Sequence, residues 1–143
     1  PVTEAEQELI RAFIDNAELA AEFLPRLVEE GLVSDLAGEG IFHKLLAEHQ
    51  QAGRLEIRRI EALLAPGEGR ILFQLQFASG PPPDRERVLA CCEALRRRRI
   101  DRGRSQLQAE IERAEKEQNQ EKLTRLLEAK ADLIRGLAGA QRV

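Results

Sequence analysis

Residues 105–137 read SQLQAEIERAEKEQNQEKLTRLLEAKADLIRGL, and the spacing of their apolar positions decides the fold. Leu107, Ile111 and Ala114 recur every three or four positions. The polar break Gln118–Asn119–Gln120 follows, and Leu123, Leu126, Leu127, Ile134 and Leu137 then resume the pattern. Each run predicts an amphipathic helix with a narrow apolar stripe. So short a connection leaves room only for antiparallel neighbours, so the stripes are expected to face each other in a helical hairpin over residues 105–143. Nothing in this hairpin can do chemistry, which points to docking.

The second arm is more apolar than a two-helix seam requires. Leu123, Leu127, Ile134 and Leu137 share one side, and Leu126 and Leu133 are offset from it by roughly 100°, the turn per residue of a helix. One side is expected to be hidden by the first arm. Leu126 and Leu133, rimmed by Arg125 and Lys130, are expected to be open to a partner helix or groove.

Outward from the hairpin, the 143 residues suffice for one domain with an appendage. Charged residues make up 33% of the chain and aromatics 3%, with no Trp, Tyr or Met. A balance rich in Leu, Ala, Glu and Arg is that of helices packed on helices, and the fold class expected is all-α. The lack of Met suggests a piece of a longer protein. No stretch approaches the roughly 18 apolar residues of a membrane span, and no basic-then-apolar leader opens the chain. A cytoplasmic location and no membrane partner are therefore expected.

Thr3 and Glu6 form a capping box before Leu9, Ile10, Phe13 and Ile14, predicting a helix from Glu4 to Asp15. Asn16 should cap a second helix carrying Leu19, Ala20 and Phe23. Pro25, unable to donate to the preceding turn, should begin a separate short helix ended by Gly31. Ile41, Phe42, Leu45 and Leu46 mark a further helix ending near Gly53, and residues 55–64 another, closed by Pro66–Gly67. In residues 70–77, Ile71, Phe73, Leu75 and Phe77 alternate as in a strand, yet Ile71, Leu72, Leu75 and Ala78 fit one helical face. A lone strand would leave its backbone unpartnered, so a helix is expected. Asp84 should cap a long helix through Val88, Cys92, Leu95, Leu107 and Ile111, with Gly103 as its weak point. The expected organisation is a helical bundle at 1–80, a connecting long helix at 81–104 and the terminal hairpin at 105–143.

Residues 1–50 carry a net −8, residues 51–100 +4 and residues 101–143 +1. So acidic a bundle would repel phosphates. The single basic cluster is Arg96–Arg97–Arg98–Arg99 with Arg102 and Arg104. It lacks aromatic interleaving and reads as a solvated or internally paired face. His43 and His49 lie about 120° apart around one helix and cannot share a metal. Adjacent Cys91 and Cys92 are disposed for neither a disulfide nor a metal site and are expected to be buried thiols. No phosphate loop or Ser/His/Asp set is present, so the chain is expected to be non-catalytic, without cofactor or metal.

The order of these patterns resembles a known family. Glu6–Leu9–Ile10 through Asn16–Ala17–Glu18–Leu19–Ala20 is similar to the start of the C-terminal helicase-binding domain of bacterial replicative primase of the DnaG type, with Asn16–Ala17 where that family often has a Pro. Closer still are Leu89 through Leu95–Arg96–Arg97–Arg98–Arg99 to Leu107, Ile111 and Ala114–Glu115, and Glu121–Lys122–Leu123 through Leu126–Leu127 to Lys130 and Leu133. The resemblance covers nearly the whole chain, best over 85–138, and residues 54–80 add little to it.

It implies a bundle that stimulates the replicative DnaB-type helicase, and a hairpin that attaches to the helicase's N-terminal domains. Primer synthesis and zinc-dependent DNA contact would belong to domains outside this chain. The helicase-binding residues expected are Leu123, Arg125, Leu126, Leu127, Lys130, Leu133, Ile134 and Leu137, on a monomer with no direct nucleic-acid contact. Two alternatives stand beside this reading: the assembly domain at the N-terminus of a replicative helicase, and a small helical nucleic-acid-binding protein.

Overall fold

The Thr3–Glu6 box opens the first helix as its spacing dictates. The Glu6 amide donates to Thr3 Oγ1, and Glu6 Oε2 accepts from both the Thr3 amide and hydroxyl at 2.8 Å. In the computed structural model, which describes residues 1–141 and side chains through residue 136, α1 spans Glu4–Asp15. Six more helices follow among the described residues: α2 Ala17–Glu29, α3 Glu39–Ala52, α4 Ile57–Leu63, α5 Pro66–Gln76, α6 Arg85–Lys116 and α7 Gln120–Gln141. No strand occurs among them, so the protein is all-helical.

Local signals explain most of the boundaries. Asn16 Oδ1 accepts from the Glu18 and Leu19 amides and starts α2. Gly31, at φ 70°, ends it. Its amide bonds to Val28 O and that of Leu32 to Leu27 O, each at 3.0 Å, a Schellman closure that only a left-handed residue permits. Gly53, at φ 73°, ends α3 where expected. Residues 66–76 are helical, so the alternation of Ile71, Phe73, Leu75 and Phe77 is not that of a strand. With Leu72 and Leu75 buried and Phe73 and Phe77 exposed, the helical period wins.

Two expectations fail here. Pro25 starts no new helix but lies inside α2. Phe23 and Leu24 before it and Leu27 after it are all buried, and that packing offsets the roughly 3 kcal/mol of an interior proline. Pro66 does more than close α4. It occupies the first turn of α5, where its missing N–H costs nothing.

The chain divides into two compact units, residues 1–95 and 96–143, with the division inside α6. The first turns of α6, expected as a connector, therefore belong to the first unit. Val88, Cys91, Cys92 and Leu95 are buried in its core beside Leu9, Phe13, Phe23, Leu24 and Phe42. Glu6, only 1% exposed, also accepts from the Gly38 amide at 2.8 Å, which ties the start of α1 to the start of α3. A Cβ on Gly38 would stand 3.1 Å from that carboxylate, so the position takes glycine. Glu48, 2% exposed, lies 3.1 Å from Arg59 Nε as an ion pair lacking a well-directed hydrogen bond.

At the start of α6, Asp84 Oδ1 accepts from the Arg87 amide as an N-cap should. Arg85 reaches Glu22 and lies over the Phe23 ring at 5.5 Å. Arg87 reaches Glu8, whose Oε2 also accepts from Cys91 Sγ at 3.2 Å. The Arg87 guanidinium holds the Glu8 carboxyl below its usual range, and Arg85 does the same to Glu22. Burial, reinforced by Glu8, pushes the Cys91 thiol up to about 12. Both cysteines are buried thiols outside any disulfide, as expected.

Candidate docking face on the last helix

The connection between α6 and α7 is built by the polar break. Gln118 takes φ 55°, and the Gln118 and Asn119 amides bond back to Glu115 O and Ala114 O. Asn119 then caps α7, its Oδ1 accepting from the Lys122 amide at 3.1 Å. Beyond the turn, Lys130 Nζ donates to Gln108 Oε1 at 2.8 Å. Farther along, a Cβ on Gly103 would stand 3.4 Å from Leu133 Cδ2. Positions rising along α7 thus meet positions falling along α6.

These contacts fix which side of α7 faces α6. Leu123, Leu126, Lys130 and Leu133 are half-buried, and Ile111 and Ala114 are the buried residues opposite. Leu127 and Ile134 are 48% and 42% exposed. The expectation for Leu126 and Leu133 is therefore corrected: they lie toward α6, and Leu127 and Ile134 are open. The reason is on α6. Gly103, which α6 passes through without interruption, leaves the slot that Leu133 fills, and Gln108 holds Lys130. Lys130 is accordingly a seam residue and not part of a rim. Arg125 is exposed, and the Leu137 side chain lies outside the described residues.

The open face is continuous. Gln120, Thr124, Leu127, Ala131 and Ile134 recur every three or four residues, all exposed and all uncharged. The Thr124 hydroxyl is satisfied within the helix by Gln120 O at 3.0 Å. Glu121, Glu128, Asp132 and Arg135 bound the stripe on one side, and the seam toward α6 bounds it on the other. An exposed leucine alone is unremarkable, but a charge-free stripe over four turns is the form of a helix awaiting a second helix or a groove.

The arginine cluster is part paired and part solvated. Arg96 is half-buried and has a bonding partner. Arg97, Arg98, Arg99, Arg102 and Arg104 make no hydrogen bond or ion pair among the described residues and form the solvated part of the cluster. His43 lies 3.7 Å from Glu39, and His49 Nδ1 is buried without a hydrogen-bond partner. Among the described residues no three His, Cys, Asp or Glu side chains converge as metal ligands would, and no helix is long and apolar enough to cross a membrane.

One surface feature was missed in the sequence. Phe73 and Phe77 on α5 are 60% and 73% exposed, their ring centroids 4.8 Å apart. The signal was present: once Ile71, Leu72, Leu75 and Ala78 are given the inner face, both phenylalanines fall outside it. The protein is thus an all-helical chain of two units whose last helix presents an uncharged face. It matches no protein-family model, no curated protein and no solved structure.

Proposed function

We propose that this chain is a non-catalytic docking module, arranged as a helical bundle with a C-terminal helical hairpin, that joins a bacterial replicative primase to its DnaB-type helicase. The order of helical motifs suggests the family, and one observation carries the docking role. The stripe Thr124, Leu127, Ala131 and Ile134 is exposed and uncharged on a helix whose adjoining side already packs on α6. Burying Leu127 and Ile134 under a partner would remove the largest exposed apolar side chains among the described residues of the second unit from water, at about 25 cal/mol per Å². The surrounding charges would form the polar rim of such an interface.

The test is a pull-down of the replicative helicase from the same organism by the intact chain. Wild type should retain it, and Leu127→Asp with Ile134→Asp should lose it while far-ultraviolet circular dichroism stays unchanged. Retention by the double variant would place docking elsewhere.

A second reading draws on the five unpaired arginines. Contact with phosphates would give binding that weakens steeply with salt. Replacing Arg97, Arg98 and Arg102 by Gln separates the readings. The docking module binds no DNA at about 0.1 M salt with or without the change, whereas a nucleic-acid binder loses measurable affinity.

A further inference from the structure

The open face of α7 is complementary to itself. Leu127 and Ile134 lie seven residues apart with Ala131 between them, and Glu128 and Arg135 lie seven apart along one border of the same stripe. Both pairs have their midpoint within half a residue of Ala131. Two copies of α7 laid antiparallel about a twofold axis near Ala131 would bring both pairs to within one residue of register. Leu127 of each copy would meet Ile134 of the other, and Glu128 would meet Arg135, each contact made twice as an isologous interface demands. Ala131 would meet Ala131 at the crossing point, where a small side chain lets the helix axes approach.

We propose that a second copy of this chain pairs with this face, antiparallel about Ala131, through Leu127–Ile134 and Glu128–Arg135 contacts. The surrounding groups allow it. Glu128 has no partner among the described residues. Arg135 is engaged only by Asp132 on its own helix, in a pair exposed at both ends (72% and 69%) and so worth little. Thr124 brings no unsatisfied hydroxyl, because Gln120 O already accepts from it. Two such two-helix units would together make a four-helix arrangement with the stripe at its centre.

The apolar contact is small, so the pair is weak and reversible. The consequence deepens the docking reading and rests on it: the surface offered to the helicase is the one a second copy covers, so pairing and docking compete. At high local concentration the chain masks itself.

The test is sedimentation equilibrium of the intact chain alone over a range of concentrations, at about 0.15 M salt, where screening extends about 8 Å. The wild type should show a monomer–dimer equilibrium. Glu128→Arg or Arg135→Glu should weaken it at least about tenfold, because each places like charges opposite one another twice. Combining the two exchanges should restore it. A chain that stays monomeric at every concentration overturns the proposal. So does a dimer indifferent to all three variants, or a double variant as weak as the single ones. Because no helicase is present, failure here leaves the docking pull-down readable, and failure there leaves this result standing.

Discussion

Between Pro1 and Leu95, apolar side chains from α1 to the start of α6 converge, and Phe13, Phe42, Leu24, Ile41 and Leu72 are among those wholly withdrawn from water. Between Arg96 and residue 136, only Ile111 and Ala114 reach comparable burial, and every described leucine of α7 keeps some exposure. Charge divides the same way: the first unit has 17 acidic and 9 basic residues, the second 8 and 13. The first unit closes a core of its own and has the means to stand alone, although Leu63, Phe73, Phe77 and Leu89 stay exposed on its surface. The second is more fully helical and leaves Leu127 and Ile134 of its last helix open. Incomplete burial in a regular element is where a binding face is to be sought.

Separating the units should give the largest difference. A fragment of residues 1–98 should unfold cooperatively on heating, whereas residues 96–143 alone should be only marginally helical, because two packed helices bury too little to offset their ordering entropy. A non-cooperative transition in the first fragment would break the comparison. Within the intact chain, Phe42→Ala should cost about 3–5 kcal/mol by denaturant unfolding, as a large residue removed from a closed core does. Leu126→Ala with Leu133→Ala should loosen the second unit by about 2 kcal/mol, near the low end for buried leucines since both are only half-covered. Leu127→Ala with Ile134→Ala should change its helix stability little. Equal effects from the two pairs would mean that α7 faces α6 differently.

Smaller effects sharpen the comparison. Gly103→Ala should stabilise the second unit by up to about 1 kcal/mol, since the added methyl would meet Leu133 at ordinary contact distance while removing a helix-interior glycine. The first unit should show a pH response. Glu8 and Glu22 have folded pKa values below their unfolded ones, so their contribution is present above the unfolded carboxyl pKa of about 4.3 and is lost as pH falls below it through the folded values. Glu8→Gln should flatten that acid limb slightly in a stability titration. Cys91 has the opposite sign. Its contribution is complete below the unfolded thiol pKa of about 8.5 and declines above it, toward the folded value of about 12. At about pH 8 the Cys91 thiol should therefore resist alkylation in the native chain and react once the chain is unfolded.

Capping signals carried most of the fold. Thr3 with Glu6, Asn16, Gly31, Gly53, Asp84 and the polar break at 118–120 each act through local hydrogen bonds, and each appears where its chemistry places it. Pro25 was misread because its cost is local while the burial of Phe23, Leu24 and Leu27 that offsets it is tertiary. The face of α7 was misassigned for a similar reason. The apolar arc from Leu133 round to Leu127 is wider than one seam, and only the Gly103 slot and the Gln108 contact on α6 decide which part is covered. The exposed phenylalanines are legible once residues 70–77 take the helical period, because Leu72 and Leu75 then claim the inner face.

Amide hydrogen exchange of the intact chain, with and without the replicative helicase, tests the central claim most directly. The account predicts added protection concentrated in residues 120–136 of α7, with α1 to α5 unchanged. Protection that appears across α1 to α5 and leaves α7 unchanged would contradict it.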